Sequence, residues 1–296
     1  MHSVESTEES AAFFIDYCRK NRGLLSIRAD GRTGGNFQST FEGTQTIAVR
    51  IAELVRNGKV HLSSPVASVE GNGRQVAVTT TTGKTFIGKK CIVSLPSAMF
   101  RDLNFSPRLP KRLQEVTDAA FLGHYNKCIV IYNRAWWRDQ GYNGFFLSYA
   151  GPVCVARDTS IDDLGFYALT CFVNGRPGRD WAKLYPHQRR KVVLEQLAKV
   201  YDQGKNSELF RPIEMIDQIW QHEEYSKGAL TSVTAIGHLT GYADVYGKPV
   251  GNLHFVGTEY SPEWKGYMEG ALCSGEIGTK EVVDALQSSR RSAAKL

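Results

Sequence analysis

Asn252-Leu253-His254-Phe255-Val256-Gly257-Thr258-Glu259, then Trp264-Lys265-Gly266-Tyr267-Met268-Glu269-Gly270-Ala271 and, in the same run, Ser274-Gly275 form the stretch whose reading decides the fold. The first part is an apolar strand, and the Gly257 turn after it carries a hydroxyl and a carboxylate. A glycine-opened helix follows, predicted over Tyr267 to Leu286. The free N–H groups at such a helix start favour negative charge. Gly266 lets a flat ligand approach the backbone, and Gly270 and Gly275 are expected to let the helix pack closely on a neighbour. Spacing alone favours an ordinary strand-loop-helix crossover with incidental glycines, because such units are common.

Working outward, helices are predicted from about Thr7 to Lys20, from Thr44 to Asn57 with Asn57-Gly58 as the stop, and from Gln188 to Gln203. Short β segments are expected at Lys59 to Leu62, Pro65 to Val69, Gln75 to Thr80, Thr85 to Ile87 and Cys91 to Leu95, joined by the turn residues Gly71-Asn72-Gly73 and Thr82-Gly83. The prolines 96, 107 and 110 suggest a boundary near Phe105 to Pro110. Beyond it, Lys127 to Tyr132 is a β-branched apolar run with one cation at its start, and more strand-like sequence runs from Gly144 to Val173.

With 296 residues, 42% hydrophobic and 22% charged, the composition is that of a globular protein of one large or two ordinary domains. The net charge of +6 is spread without long basic runs, which argues against a nucleic-acid partner. The six cysteines form no C-x-x-C pair and have no metal-ligand spacing, so they read as reduced core residues of an intracellular protein without a metal. No apolar run approaches the ~18 residues of a membrane span, so no membrane partner is expected.

The stretch GTEYSPEWKGYMEGALCSG resembles the C-terminal signature of the flavin-containing amine oxidase family, in particular the monoamine oxidases. The resemblance extends upstream over nearly the whole chain. Phe41-Glu42-Gly43-Thr44-Gln45 is similar to the family's Gly-Gly-Ser/Thr-Gln segment, and Ser64 to Val69 to the strand whose valine backbone, here Val66, touches adenine. Cys91 to Pro96 resembles a family strand end. Asn126-Lys127-Cys128-Ile129-Val130 matches the segment bearing the active-site lysine, and Trp220 with Glu224-Tyr225-Ser226-Lys227-Gly228 matches the segment at the flavin ring. The resemblance implies a FAD cofactor bound by Val66, Trp220, Gly257, Thr258, Glu259, Gly266, Tyr267 and Met268. It implies Lys127 and Tyr267 as catalytic residues, Lys127 holding a water near flavin N5 and Tyr267 forming one wall of an aromatic cage. For Lys127 the residue itself leaves a second reading open, a strand-end lysine snorkelling to solvent.

Three features depart from the family. Its members begin with a strand-turn-helix bearing G-x-G-x-x-G and, about 20 residues on, an acidic residue for the ribose. No such unit stands in this sequence, Gly71-x-Gly73 being a hairpin turn, so the chain is expected to be N-terminally truncated. Ala229 stands where the covalent enzymes carry the flavin-linking cysteine, so FAD would be held non-covalently. Leu230 stands at the second cage aromatic, leaving Tyr267 and Leu230 as the substrate walls.

The fold class implied is α/β: a two-domain FAD-dependent amine oxidase fold with a Rossmann-like FAD domain interleaved with an α+β substrate domain, lacking the first βαβ unit. Residues 1–38 and 107–221 are expected in the substrate domain, 39–106 and 222–289 in the FAD domain, and 290–296 in a tail. The implied reaction takes a small-molecule primary amine and dioxygen to aldehyde, ammonia and hydrogen peroxide. The alternatives are an inactive or scaffold fragment, or a polyamine or amino-acid oxidase of the same fold. Ala294-Lys295-Leu296 resembles a peroxisomal address, with the cytoplasm as the alternative location. Poor solubility or partner-dependent folding is expected, the partner being a homo-oligomer or an absent N-terminal portion.

Overall fold

The computed structural model describes residues 2–29, 31–32, 40, 42–55 and 59–293. Phe41, the helix stop at Asn57-Gly58 and the tripeptide Ala294-Lys295-Leu296 lie outside the described residues. The chain divides into two compact units, Met1–Glu9 with Phe121–Val233, and Ser10–Ala120 with Thr234–Leu296.

These boundaries differ from the sequence reading in three places. The described residues of 10–38 and 107–120 pack with those of 39–106, and residues 222–233 pack with 121–221. Pro110 opens the helix Lys111–Asp118, whose Leu113 and Val116 are buried with Phe100 and Phe255, so the proline-rich segment is interior to a unit. Residues 222–233 stay with the first unit because Ser232–Val233 pairs antiparallel with Phe121–Leu122, and the Ala229 N–H donates to Gly123 O at 3.1 Å.

In the first unit the strands Glu214–Ile219, Tyr125–Tyr132, Tyr167–Asn174, Val155–Asp158 and Phe146–Leu147 lie side by side in that order, all antiparallel. Side chains alternate across a strand. Cys128, Val130, Tyr132, Ala156, Leu169, Cys171, Val173, Met215 and Ile219 therefore share one face and form a core with Trp136, Trp137, Trp181, Val193 and Leu197. The last two belong to the helix Pro186–Val200, predicted as Gln188 to Gln203. The opposite face carries Lys127, Ile129, Phe172, Thr170, Val155, Arg157 and Gln218, of which only Thr170 is buried. That asymmetry makes it the open face of the sheet.

The second unit holds a sheet with strand order Thr85–Gly88, Val76–Thr80, Val66–Gly71, Asn104–Ser106, and a separate parallel pair, Cys91–Val93 with Leu253–Phe255. Lys59 to Leu62, expected as a strand, is not one. The closing helix runs Met268–Ala293, seven residues beyond the predicted end at Leu286. No described helix is long and apolar enough to cross a membrane.

Parallel strands are normally covered on both faces, and this unit leaves much of its apolar surface in solvent. The helix Gln45–Leu54 buries none of its described side chains, with Leu54 71% exposed. Ile92, Leu95, Leu272 and Val283 are exposed as well. The purified 296-residue chain is therefore expected to enhance and blue-shift the emission of an apolar dye such as ANS under native conditions, and to self-associate. An unchanged dye spectrum from a sedimenting monomer would contradict this exposure.

Candidate functional site

The helix Met268–Ala293 is long enough to have a well-developed dipole, and its first turn is fixed by contacts from three segments of the second unit. The Thr258 hydroxyl donates to Tyr267 O at 2.7 Å, and the Gly257 N–H donates to Ser274 Oγ at 3.0 Å. The strand end and the helix start are thereby joined. Gly266 has φ +85°, a left-handed conformation that favours glycine and turns the chain into the helix.

Gly270 sits where a Cβ would meet Trp264 O at 2.1 Å and Thr258 Oγ1 at 2.8 Å. Gly275 does not have the packing role expected of it, since a Cβ there meets nothing within 4 Å. Gly278 takes that role, its Cβ position being 2.2 Å from Val256 Cγ1. The position of the strand, with Val256 against Gly278, tells the two helix glycines apart. Gly270→Ala is expected to destabilise the protein by about 3 kcal/mol, because the colliding atom is backbone and cannot swing aside. Gly275→Ala should instead be neutral or stabilising by up to ~1 kcal/mol. Urea denaturation of the two variants checks the contrast, and equal midpoints would refute it.

Glu259 is 4% exposed and its carboxylate is occupied by protein donors. Ser97 N–H and Ser97 Oγ donate to it at 2.7 and 2.8 Å, and Tyr246 OH at 2.6 Å. Burial beside this carboxylate pushes the Tyr246 phenol well above its ordinary value. The residue thereby ties the turn after Cys91–Val93 to the Gly257 turn.

Tyr267 is half-buried in a cluster of its own unit. Its ring is stacked on Tyr17 with centroids 6.3 Å apart and 13° between planes, the Tyr17 OH donates to its OH at 3.2 Å, and Trp264 meets it edge-on at 5.8 Å. Met268, next in the chain, is exposed. Lys265 is buried, 1% exposed, with Nζ 3.0 Å from Asp16 Oδ2 and 4.3 Å from the Phe13 ring centroid. The Lys265 carbonyl accepts from Asn21 Nδ2 at 2.9 Å, and the Trp264 N–H donates to Lys20 O at 3.0 Å. The helix Ala11–Lys20 thus clamps the loop leading to Gly266 and Tyr267. Neither Tyr17 nor the buried lysine was anticipated.

Val66 opens the strand Val66–Gly71, half-buried. The register slips between Val66 and Ser68, and the parallel pairing with Asn104–Ser106 begins only at Ser68. Val66 therefore lies outside that ladder, while on its other side it pairs with Thr80.

In the first unit, Lys127 lies on the open sheet face between Gln218 and Phe172. Its Nζ stands 5.4 Å from the Phe172 ring centroid and 5.8 Å from that of Tyr125, and burial pushes its pKa below the ordinary lysine value. Trp220 follows the strand Glu214–Ile219 on the same alternation as Ile216 and Gln218. The loop after it is fastened to Gly123 through Gln221 Nε2 at 2.6 Å and the Ala229 N–H. A Cβ on Gly228 would meet Leu122 Cβ at 2.5 Å, and Leu230 beyond it is exposed. Lys127, Trp220, Ala229 and Leu230 are thus brought into one unit, and Val66, Gly257, Thr258, Glu259, Gly266, Tyr267 and Met268 into the other.

Comparison with known proteins points the same way. A family model described as flavin containing amine oxidoreductase matches residues 4–283. The probable flavin-containing monoamine oxidase A of Dictyostelium discoideum is 32% identical over 290 residues, 97% of this chain and 62% of that protein. The flavin-containing amine oxidase A of Equus caballus is 30% identical over 284 residues, covering 95% and 53%. The chain therefore spans somewhat more than half the length of these relatives. Among solved structures, cyclohexylamine oxidase from Brevibacterium oxydans IH-35A is similar with a TM-score of 0.84 at 24% identity, covering 96% of this chain and 62% of that one. Putrescine oxidase bound to putrescine follows at 0.74 and 23%, covering 83% and 53%. At these identities the solved structures speak for the fold alone.

Proposed function

The chain belongs to the flavin-containing amine oxidoreductase family, and from that premise we propose that it provides the flavin end and the substrate face of an enzyme oxidising a primary amine. Amine, dioxygen and water are consumed, and aldehyde, ammonia and hydrogen peroxide are formed. The observation that carries the proposal is the pinned helix start, where Thr258, Gly270 and the clamped loop fix the backbone from Gly266 to Met268.

The residues present fit a flavin on three counts. The N–H groups opening the 26-residue helix favour the negative charge that a reduced flavin carries. Gly266 has no Cβ to bar a planar ring from the backbone. Val66 lies free of one strand ladder, where adenine would lie along it. Ala229 has no thiol to form a thioether, so FAD would be held without a covalent bond. FAD, when bound, supplies the two-electron acceptor.

The chain's own residues do the rest. Tyr267, braced by Tyr17 and Trp264, presents an aromatic wall to the amine. Leu230 offers an aliphatic surface. Lys127, on an open sheet face between two aromatic rings, holds a water and a proton at Nζ. The half-buried setting lowers its pKa, which makes that proton easier to release than from an exposed lysine. The test is product stoichiometry from the purified protein supplied with FAD and benzylamine. One aldehyde and one peroxide per amine consumed is expected, and no aldehyde from any primary amine would overturn the proposal.

A further inference from the structure

We infer that Tyr267 binds its substrate as a hydrogen-bond donor to the amine nitrogen, and that Tyr17 is the positioning residue that turns its hydroxyl proton toward that substrate. The inference rests on the reading of Tyr267 as the wall that the amine meets. Two backbone anchors bring the phenols together. The Asn21 side chain, wholly buried, donates through Nδ2 to Tyr17 O at 2.8 Å and to Lys265 O at 2.9 Å, so one amide group sets the helix Ala11–Lys20 against the loop before Tyr267. The Thr258 hydroxyl holds Tyr267 O at 2.7 Å.

With both backbones fixed, the ring planes differ by 13° and the Tyr17 OH donates to Tyr267 OH at 3.2 Å. A phenol has one hydrogen to give. That of Tyr17 goes to the Tyr267 oxygen, so the Tyr267 hydrogen cannot point back at Tyr17 and is turned away from it. Among the described residues none accepts it. Tyr17 is 6% exposed whereas Tyr267 is half-buried, which puts the unused hydrogen on the accessible side of the pair. Accepting one bond also makes a hydroxyl a better donor of the next. Trp264, edge-on to Tyr267 at 5.8 Å and itself covered by the Arg22 guanidinium at 5.2 Å, keeps the ring in this orientation.

A neutral amine offers one lone pair as acceptor, and that is the partner this hydrogen suits. The bond belongs to the bound substrate. When a hydride equivalent leaves the α-carbon for the two-electron acceptor, the lone pair becomes the second C–N bond of an iminium ion and can no longer accept. An interaction made with the substrate and weakened toward the transition state appears in KM rather than in kcat. A ring that only packs would show no such division.

The experiment uses the full chain supplied with FAD. Titrations followed by tryptophan fluorescence compare α,α-dimethylbenzylamine, which has no α-hydrogen to lose, with tert-butylbenzene, which has a methyl in place of the amino group, at a pH where much of the amine is neutral. Wild type is expected to bind the amine more tightly. Tyr17→Phe, which keeps the ring, should lower that preference by about 3-fold to 10-fold. Tyr267→Phe should lower it at least as far, and the double substitution no further than Tyr267→Phe alone, because the two hydroxyls act as one unit. With benzylamine as the oxidised substrate, Tyr17→Phe should raise KM by the same factor and leave kcat little changed, circular dichroism confirming that each variant folds. An amine preference that Tyr17→Phe leaves alone, additive losses in the double variant, or a fall in kcat at constant KM overturns the inference. Oxidation of no amine, with a Tyr17-dependent binding preference intact, would overturn the oxidase proposal and leave the donor standing.

Discussion

Asp16→Ala is expected to destabilise the protein by about 3 kcal/mol, while Lys265→Met, which removes the other half of the same pair, costs less than half as much. The asymmetry follows from what each substitution leaves behind. Without Asp16 the Lys265 ammonium remains 1% exposed over the Phe13 face, with the weaker attraction of Glu259 left to it. Without Lys265 the Asp16 carboxylate still holds Lys20 Nζ at 3.0 Å and reaches Arg19 at 3.6 Å. Stranding a buried charge is the costly outcome.

The pH dependence separates the variants further. Burial raises the Asp16 pKa, but Lys265 and Lys20 more than offset it, so its folded value lies below 3.8. Its contribution is present above the unfolded value and is lost as pH falls through the folded one. Lys265 is pushed below 10.5 by burial, against the pull of Asp16. The unfolded chain then binds the extra proton between the folded value and 10.5, and stability from this group rises with pH across that window. Removing Asp16 lowers the Lys265 value again, so the variant should recover stability as the solution is made alkaline. Urea melts at about pH 6 and about pH 9 check this, and equal losses in both variants without a pH trend would refute it. Because the pair clamps the loop before Gly266, Asp16→Ala should also weaken FAD binding.

Lys127→Met carries the largest expected effect on turnover, a fall of about 100-fold or more. Methionine keeps an unbranched stem against Tyr125 and Phe172, so the sheet is expected to fold and melt nearly as before. What is lost is the charged head. Because burial lowers the Lys127 pKa, the wild-type rate profile should change at a pH below the ordinary lysine range, and the methionine variant should lack that change. Unaltered turnover together with an unaltered profile would show that Lys127 is a strand-end lysine with a packing role only.

Much of this architecture was legible because the local pattern and the tertiary solution agree. The strand Leu253–Phe255 and the helix after Gly266 stand within a residue of their predicted starts. Alternation along Tyr125–Tyr132 put Lys127 opposite the core residues Cys128 and Val130. Reading failed where distant partners decide. Glu214–Ile219 carries two acids and was not among the predicted strands, and its Asp217 is paired with Arg189 Nε at 2.9 Å, from a helix earlier in the chain. Lys59 to Leu62 alternates like a strand but pairs with no strand among the described residues, and Leu62 is 83% exposed. The site divides in the same way. Tyr267 and Gly270 follow from the stretch itself. Tyr17 stacks on Tyr267 from 250 positions away, and Lys265, set among glycine and aromatics, has the appearance of a solvent lysine until Asp16 is placed beside it.

The central claim is that this chain holds FAD where an amine can reduce it, and anaerobic reduction tests that most directly. The purified protein, supplied with FAD and freed of excess, is expected to show flavin bands near about 375 and about 450 nm. The longer-wavelength band should bleach on anaerobic addition of a primary amine and return when air is admitted. A protein that retains no flavin colour, or whose flavin band no amine bleaches, would contradict the account.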